Sequence, residues 1–109
     1  MRKIIIATLF GFSTFANAQT YRCDVEIDGK DMYFITAKVD DRENQFTVTM
    51  ENKKDKIRSV VAGPTLKRYG ANTMSIEKDN VLYMRKSENG LLGYALIDEK
   101  IQIYLLGCE

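Results

Sequence analysis

The sequence predicts an all-β fold: a small antiparallel meander that closes into a barrel or a flattened sandwich and carries one disulfide. Three observations carry this expectation. Apolar and polar residues alternate with a period of two along most of residues 19–109, as a half-buried strand requires. Short polar turns, among them Asp28-Gly29 and Asn89-Gly90, punctuate that alternation and are strong hairpin signals. Two cysteines, Cys23 and Cys108, stand near opposite ends of this stretch.

The elements follow in order. Tyr21, Cys23, Val25 and Ile27 alternate with Arg22, Asp24 and Glu26, which defines a first strand ending at Asp28-Gly29. Residues 32–39 are a β-rich run, and 40–44 a polar turn. Phe46, Val48 and Met50 alternate with Thr47 and Thr49 in the next strand. The charged loop 52–56 leads to a strand over 57–62, which Gly63-Pro64 ends because proline cannot donate to a ladder. Leu66 and Tyr69, then Met74 and Ile76, suggest two short strands around Gly70. Strands over 81–85, 91–97 and 101–106 complete the chain. Such a meander must close or fold over to hide its edges. A bridge between the first and last strands suits a closed barrel, where those two become neighbours.

Residues 1–18 read as a signal peptide. Arg2 and Lys3 form a positive start, 4–15 an apolar run, and Ala16-Asn17-Ala18 a cleavage site that leaves Gln19 first. The apolar run falls short of the roughly 20 residues that span a bilayer, so no stable membrane anchor is expected after cleavage. Residues 19–109 then form a single all-β domain in the periplasm or outside the cell. That setting is oxidising, and two cysteines allow one pairing, so Cys23 and Cys108 should be bonded. Closing a loop of about 85 residues contributes on the order of 4–5 kcal/mol in the chain-entropy account.

Composition removes most chemistry. The chain has no histidine, which takes away the commonest general base, Ser-His-Asp and Cys-His nucleophiles, and ordinary zinc sites. Bonded cysteines leave no thiolate. No phosphate loop or calcium loop is present, and no cofactor or metal is implied. Asp24 and Glu26 share a strand face, as a pair of glycosidase carboxylates would, but acidic residues on an outward strand face are ordinarily solvated charge. Loss of the leader leaves 14 basic against 15 acidic residues, a net charge of −1, without the basic surplus of a nucleic-acid binder. The expectation is a non-enzyme. Lys53, Lys54, Lys56 and Arg58, the pairs Lys67-Arg68 and Arg85-Lys86, and Tyr69, Tyr83, Tyr94 and Tyr104 supply residue types that dominate protein interfaces, although the same types are ordinary in turns and strands.

Tyr21-Arg22-Cys23 at the start, Cys108 at the end, Val60-Val61-Ala62-Gly63 followed by Arg68-Tyr69, and Leu82-Tyr83-Met84-Arg85-Lys86 together give an outline that resembles the bacterial periplasmic and membrane-bound inhibitors of C-type lysozyme. Ala62 stands where that family has serine before glycine, and the family's tryptophan is absent here. The resemblance implies a small exported β-barrel that inhibits lysozyme, with Lys86 and Ser59 as contacts in the enzyme's cleft and Tyr69 and Arg85 beside them. Two other expectations stand next to it. One is a small-ligand carrier, in which Gly93 and Ala95, on one face of their strand, leave room inside the barrel. The other is an envelope accessory protein with a different partner.

Overall fold

Nine strands make one antiparallel sheet in a computed structural model that describes residues 18–109. The segment expected to be a signal peptide, but for Ala18, lies outside the described residues. In chain order the strands are β1 Gln19–Ile27, β2 Lys30–Asp41, β3 Phe46–Asn52, β4 Arg58–Ala62, β5 Lys67–Arg68, β6 Thr73–Lys78, β7 Val81–Glu88, β8 Leu91–Ile97 and β9 Gln102–Leu106. Three hairpins turn on two residues with positive φ: Asp28-Gly29, Asp79-Asn80 and Asn89-Gly90. That geometry matches the right-handed twist of the strands it joins.

The spatial order is β4-β3-β2-β1-β9-β8-β7-β6-β5. Two meanders, β1–β4 and β5–β9, therefore run outward from a central seam where β1 pairs with β9. The first and last strands are neighbours as expected, but in the middle of the sheet and not at a closing joint. The sheet curls into a half-barrel. Closure fails for a local reason: the connection 63–66 bonds back to the β3 end, with Gly63 N–H on Phe46 O (3.0 Å) and Leu66 N–H on Asn44 O (2.7 Å), and Pro64 has no N–H to offer a ladder. Gly63 passes so close that an added Cβ would lie 2.9 Å from Phe46 O and 3.3 Å from the Tyr83 ring.

The concave face is the core. Alternation places Cys23 and Val25, Ala37 and Val39, Phe46 and Val48, Tyr94 and Leu96, and Leu105 on it, and Leu66 from the 63–66 connection joins them. The two arms meet there, the Phe46 and Tyr94 rings lying 4.8 Å apart between centroids. Each large side chain so buried contributes about 1.5–3 kcal/mol.

The Cys23–Cys108 disulfide is formed, with Cα atoms 4.2 Å apart. β1 and β9 pair Asp24 with Leu106, whereas Arg22 exchanges backbone bonds with Glu109 at 2.9 and 3.1 Å. The tail thus holds one residue more than β1 over this span. Gly107, at φ 60°, absorbs it as a bulge that swings Cys108 onto Cys23.

Candidate functional site

Two surfaces bring chemically notable side chains together. At one mouth of the half-barrel, β2 ends in Asp41, buried at 3 % exposure. Arg85 of β7 and Tyr94 of β8 stand opposite each other in register and point to the same concave side. Arg85 Nε donates to Asp41 Oδ2 at 2.8 Å, the Tyr94 hydroxyl donates to the same oxygen, and the Glu43 N–H donates to Oδ1. The buried carboxylate is therefore satisfied, as burial of a charge demands. Burial and the bond to Asp41 push the Tyr94 hydroxyl far above the ordinary tyrosine value. Burial opposes the Arg85 cation, but its bond to Asp41 and the charge of Asp41 outweigh that, and its pKa rises. This trio ties β2 of one arm to β7 and β8 of the other. Outside it opens a polar cleft of about 580 Å³ lined by Arg42, Glu43, Arg68, Asn72, Arg85 and Ser87.

The second surface is the outer face of β7–β9. Register sets Lys86 against Gly93, and Met84 against Ala95, which in turn faces Tyr104. Because Tyr94 and Leu96 point into the core, Gly93 and Ala95 point out. Sequence periodicity had put them inside a barrel; they instead make the floor of an external trough. Met84 and Lys86 form one wall, Tyr104 and Leu106 the other, and Leu91 stands at the end with 74 % of its surface exposed. The groove measures about 440 Å³ and its lining is mostly apolar. Lys86 and Glu88 stand at its rim, Nζ to Oε1 3.6 Å, both side chains half or more exposed.

Ser59 belongs to neither surface. It lies on β4 at the opposite mouth, with Ile27, Ile35, Met50 and Ile57. Tyr69 is exposed; its N–H donates to Thr73 O at 2.8 Å, and Thr73 pairs with Lys86 across β6 and β7. Arg85 and Lys86 are adjacent in sequence and face opposite sides of the sheet. Of the four residues named from the sequence as partner contacts, Lys86 alone borders the groove, Arg85 is turned inward onto Asp41, and Ser59 stands apart at the other mouth. Lys54 of the basic loop lies over the Phe34 ring, Nζ 4.5 Å from its centre, a cation–π contact.

Sequence reasoning missed Asp41, which reads as one of several acids in a turn. Its signal was faint: the strand alternation Ala37, Val39, Asp41 continues the inward series one step past the last apolar residue. Leu106 reads in the sequence as ordinary strand. No family model, curated protein or solved structure matches this chain.

Proposed function

We propose that this protein is an exported, non-catalytic module that binds a protein partner through the outer groove of β7–β9, and that a C-type lysozyme is the partner to test first. The groove carries this proposal. An antiparallel sheet that packs one face on its core ordinarily turns polar residues to water on the other. Here Met84, Gly93, Ala95, Tyr104, Leu106 and Leu91 turn outward together, a contiguous apolar surface of the kind that marks interaction sites. Tyrosine and leucine walls give contact area, and the small floor residues let a partner side chain descend between them. Lys86 adds an exposed cation at the rim. A lysozyme cleft holds two carboxylates, and a cation seated among them, screened from water by apolar walls, is the arrangement in which charge pairs couple strongly. The concave face is filled by Phe46, Tyr94, Leu105 and their neighbours, so a small-ligand carrier would have to use either this outer groove or the polar cleft at the mouth.

The test is lysis of bacterial cell walls by a C-type lysozyme in the presence of the protein expressed from the full chain, whose intact mass should begin at Gln19. Lysis should slow. Lys86→Ala should weaken the effect tenfold or more, since loss of one partner of a desolvated charge pair costs about 2–5 kcal/mol, and Leu106→Gln should weaken it through lost apolar contact. Lys54→Ala should leave it within about a factor of five, as an exposed charge contributes roughly 0–1 kcal/mol. No inhibition and no calorimetric binding at roughly 100 μM rejects lysozyme as the partner. Inhibition indifferent to both groove variants rejects the groove.

A further inference from the structure

The two ends of the open sheet are unlike. β5 is two residues long, and both, Lys67 and Arg68, are basic. Short, charged edges resist pairing with other chains. β4 is five residues, Arg-Ser-Val-Val-Ala, with no proline or lysine inside it and Val60 63 % exposed. Its ladder phase follows from two bonds that bracket it, Asn52 N–H to Ile57 O at 2.9 Å and Gly63 N–H to Phe46 O at 3.0 Å. Hydrogen-bonded pairs alternate along an antiparallel ladder, so Ser59 and Val61 also bond β3. Arg58, Val60 and Ala62 therefore turn their N–H and C=O groups away from β3, and no strand pairs with them among the described residues.

We propose that β4 is a docking edge for a second copy of this chain, joined antiparallel about a two-fold axis through Val60. The occupant follows from the pattern itself. An antiparallel pair of identical strands matches its own donors and acceptors, as an isologous contact must. In this register Val60 lies opposite Val60 of the second copy, and Arg58 lies opposite Ala62 of the second copy. Both N–H···O bonds form at each of these pairs, about six bonds in all. The register also keeps like charges apart. Each Arg58 sits at an outer end of the joint beside Glu51 of its own β3, and valine meets valine at the centre. An edge joint of this length buries far less than the roughly 1,200–2,000 Å² of a standard interface, which puts it in the class of weak, reversible contacts. The joint lies at the far end of the sheet from β7–β9, so the dimer displays two grooves, and strand addition to an edge does not cover either.

Sedimentation velocity of the protein expressed from the full chain, from about 5 to about 500 μM, reads this association directly. The expected result is a reversible monomer–dimer shift across that range. Val60→Pro removes only the outward-facing N–H, which edge strands tolerate, and should abolish the dimer while circular dichroism stays β-type. Val60→Lys sets two ammonium groups against each other at the axis and should weaken association at least tenfold; it carries the test if the proline variant does not fold. Thr36→Lys, exposed on the outer face of β2, should leave the equilibrium unchanged. A chain that stays monomeric at about 500 μM overturns the proposal. So does a dimer that Val60→Lys leaves intact.

Discussion

The outer faces of the two arms obey different rules. Along β1–β3 the outward positions Arg22, Asp24, Thr36, Lys38, Asp40, Thr47, Thr49 and Glu51 are polar, and the exposed apolar residues of this arm, Tyr33, Ile57 and Val60, line no shared groove with one another. Along β7–β9 the equivalent positions include Met84, Gly93, Ala95, Tyr104 and Leu106. Both arms contribute the same kind of concave stripe to one core. The second arm differs in gathering its outward apolar residues along one groove, and a contiguous apolar surface of that kind marks interaction sites. Inner and outer faces of the second arm thus differ in kind: the inner one packs into the core, and the outer one is the groove proposed above for partner binding.

Substitutions that break the joints between the arms should have the largest effects and touch both faces. The Cys23–Cys108 bridge ties the chain ends together beside the β1–β9 seam. Its replacement by two serines should lower unfolding free energy by about 4–5 kcal/mol, read as a shift of the urea midpoint under non-reducing conditions. Loss of that much approaches the whole stability of a small domain. A midpoint that barely moves would mean the seam holds without it.

The next largest effect should come from the trio at the mouth. Asp41→Asn leaves the Arg85 cation without its counter-charge in a pocket where Arg85 is 16 % exposed and Asp41 4 %. A fully buried pair broken on one side costs about 3–5 kcal/mol; partial access of Arg85 to water brings the expectation to about 2–4 kcal/mol. The same trio gives an alkaline signature. Tyr94 has a folded pKa above the ordinary value of 10.0. Its neutral hydroxyl contributes stability that is fully present below pH 10 and lost as pH rises toward the folded value, because the unfolded chain ionises first. The melting temperature should therefore fall above pH 10, and Tyr94→Phe should flatten that part of the profile. An identical alkaline slope in the variant would remove Tyr94 as its cause.

The smallest stability effects should appear on the outside, where the two arms differ most. Leu106→Gln in the second arm and Thr36→Gln in the first should each change unfolding free energy by no more than about 0.5 kcal/mol. Only Leu106→Gln should weaken binding of the partner. Equal effects of the two on binding would erase the distinction between the arms.

Much of the fold was legible because its causes are local. Alternation in residues 21–27 and 46–50 assigns faces without knowledge of neighbours, and Asp28-Gly29 and Asn89-Gly90 accept the positive φ values that a two-residue hairpin imposes. The weak stretch near Gly70 resolved into β5 and β6, as Leu66, Met74 and Ile76 suggested; β5 kept only two residues. The candidate site was much less legible. Lys86 came from the family resemblance, carried by the run Leu82-Tyr83-Met84-Arg85-Lys86. Gly93 and Ala95 were found as a pair but assigned to the wrong side, since a period of two says which residues share a face and not which face is inside.

The sequence alone determined the strands, their hairpins and the single possible disulfide, because backbone dihedral preference, side-chain alternation and cysteine count are properties of short segments. Tertiary structure alone decided three things. It placed β1 and β9 at the centre of the sheet instead of at a closing seam. It left β4 as an open edge, because Pro64 and the bonds of Gly63 and Leu66 hold the connecting segment against β3. It joined Asp41, Arg85 and Tyr94 across the mouth and placed Gly93 and Ala95 on the outer side of the sheet, at the floor of the groove. Each of these depends on which way a long sheet curls and where its distant ends meet, and no local stretch of residues carries that information.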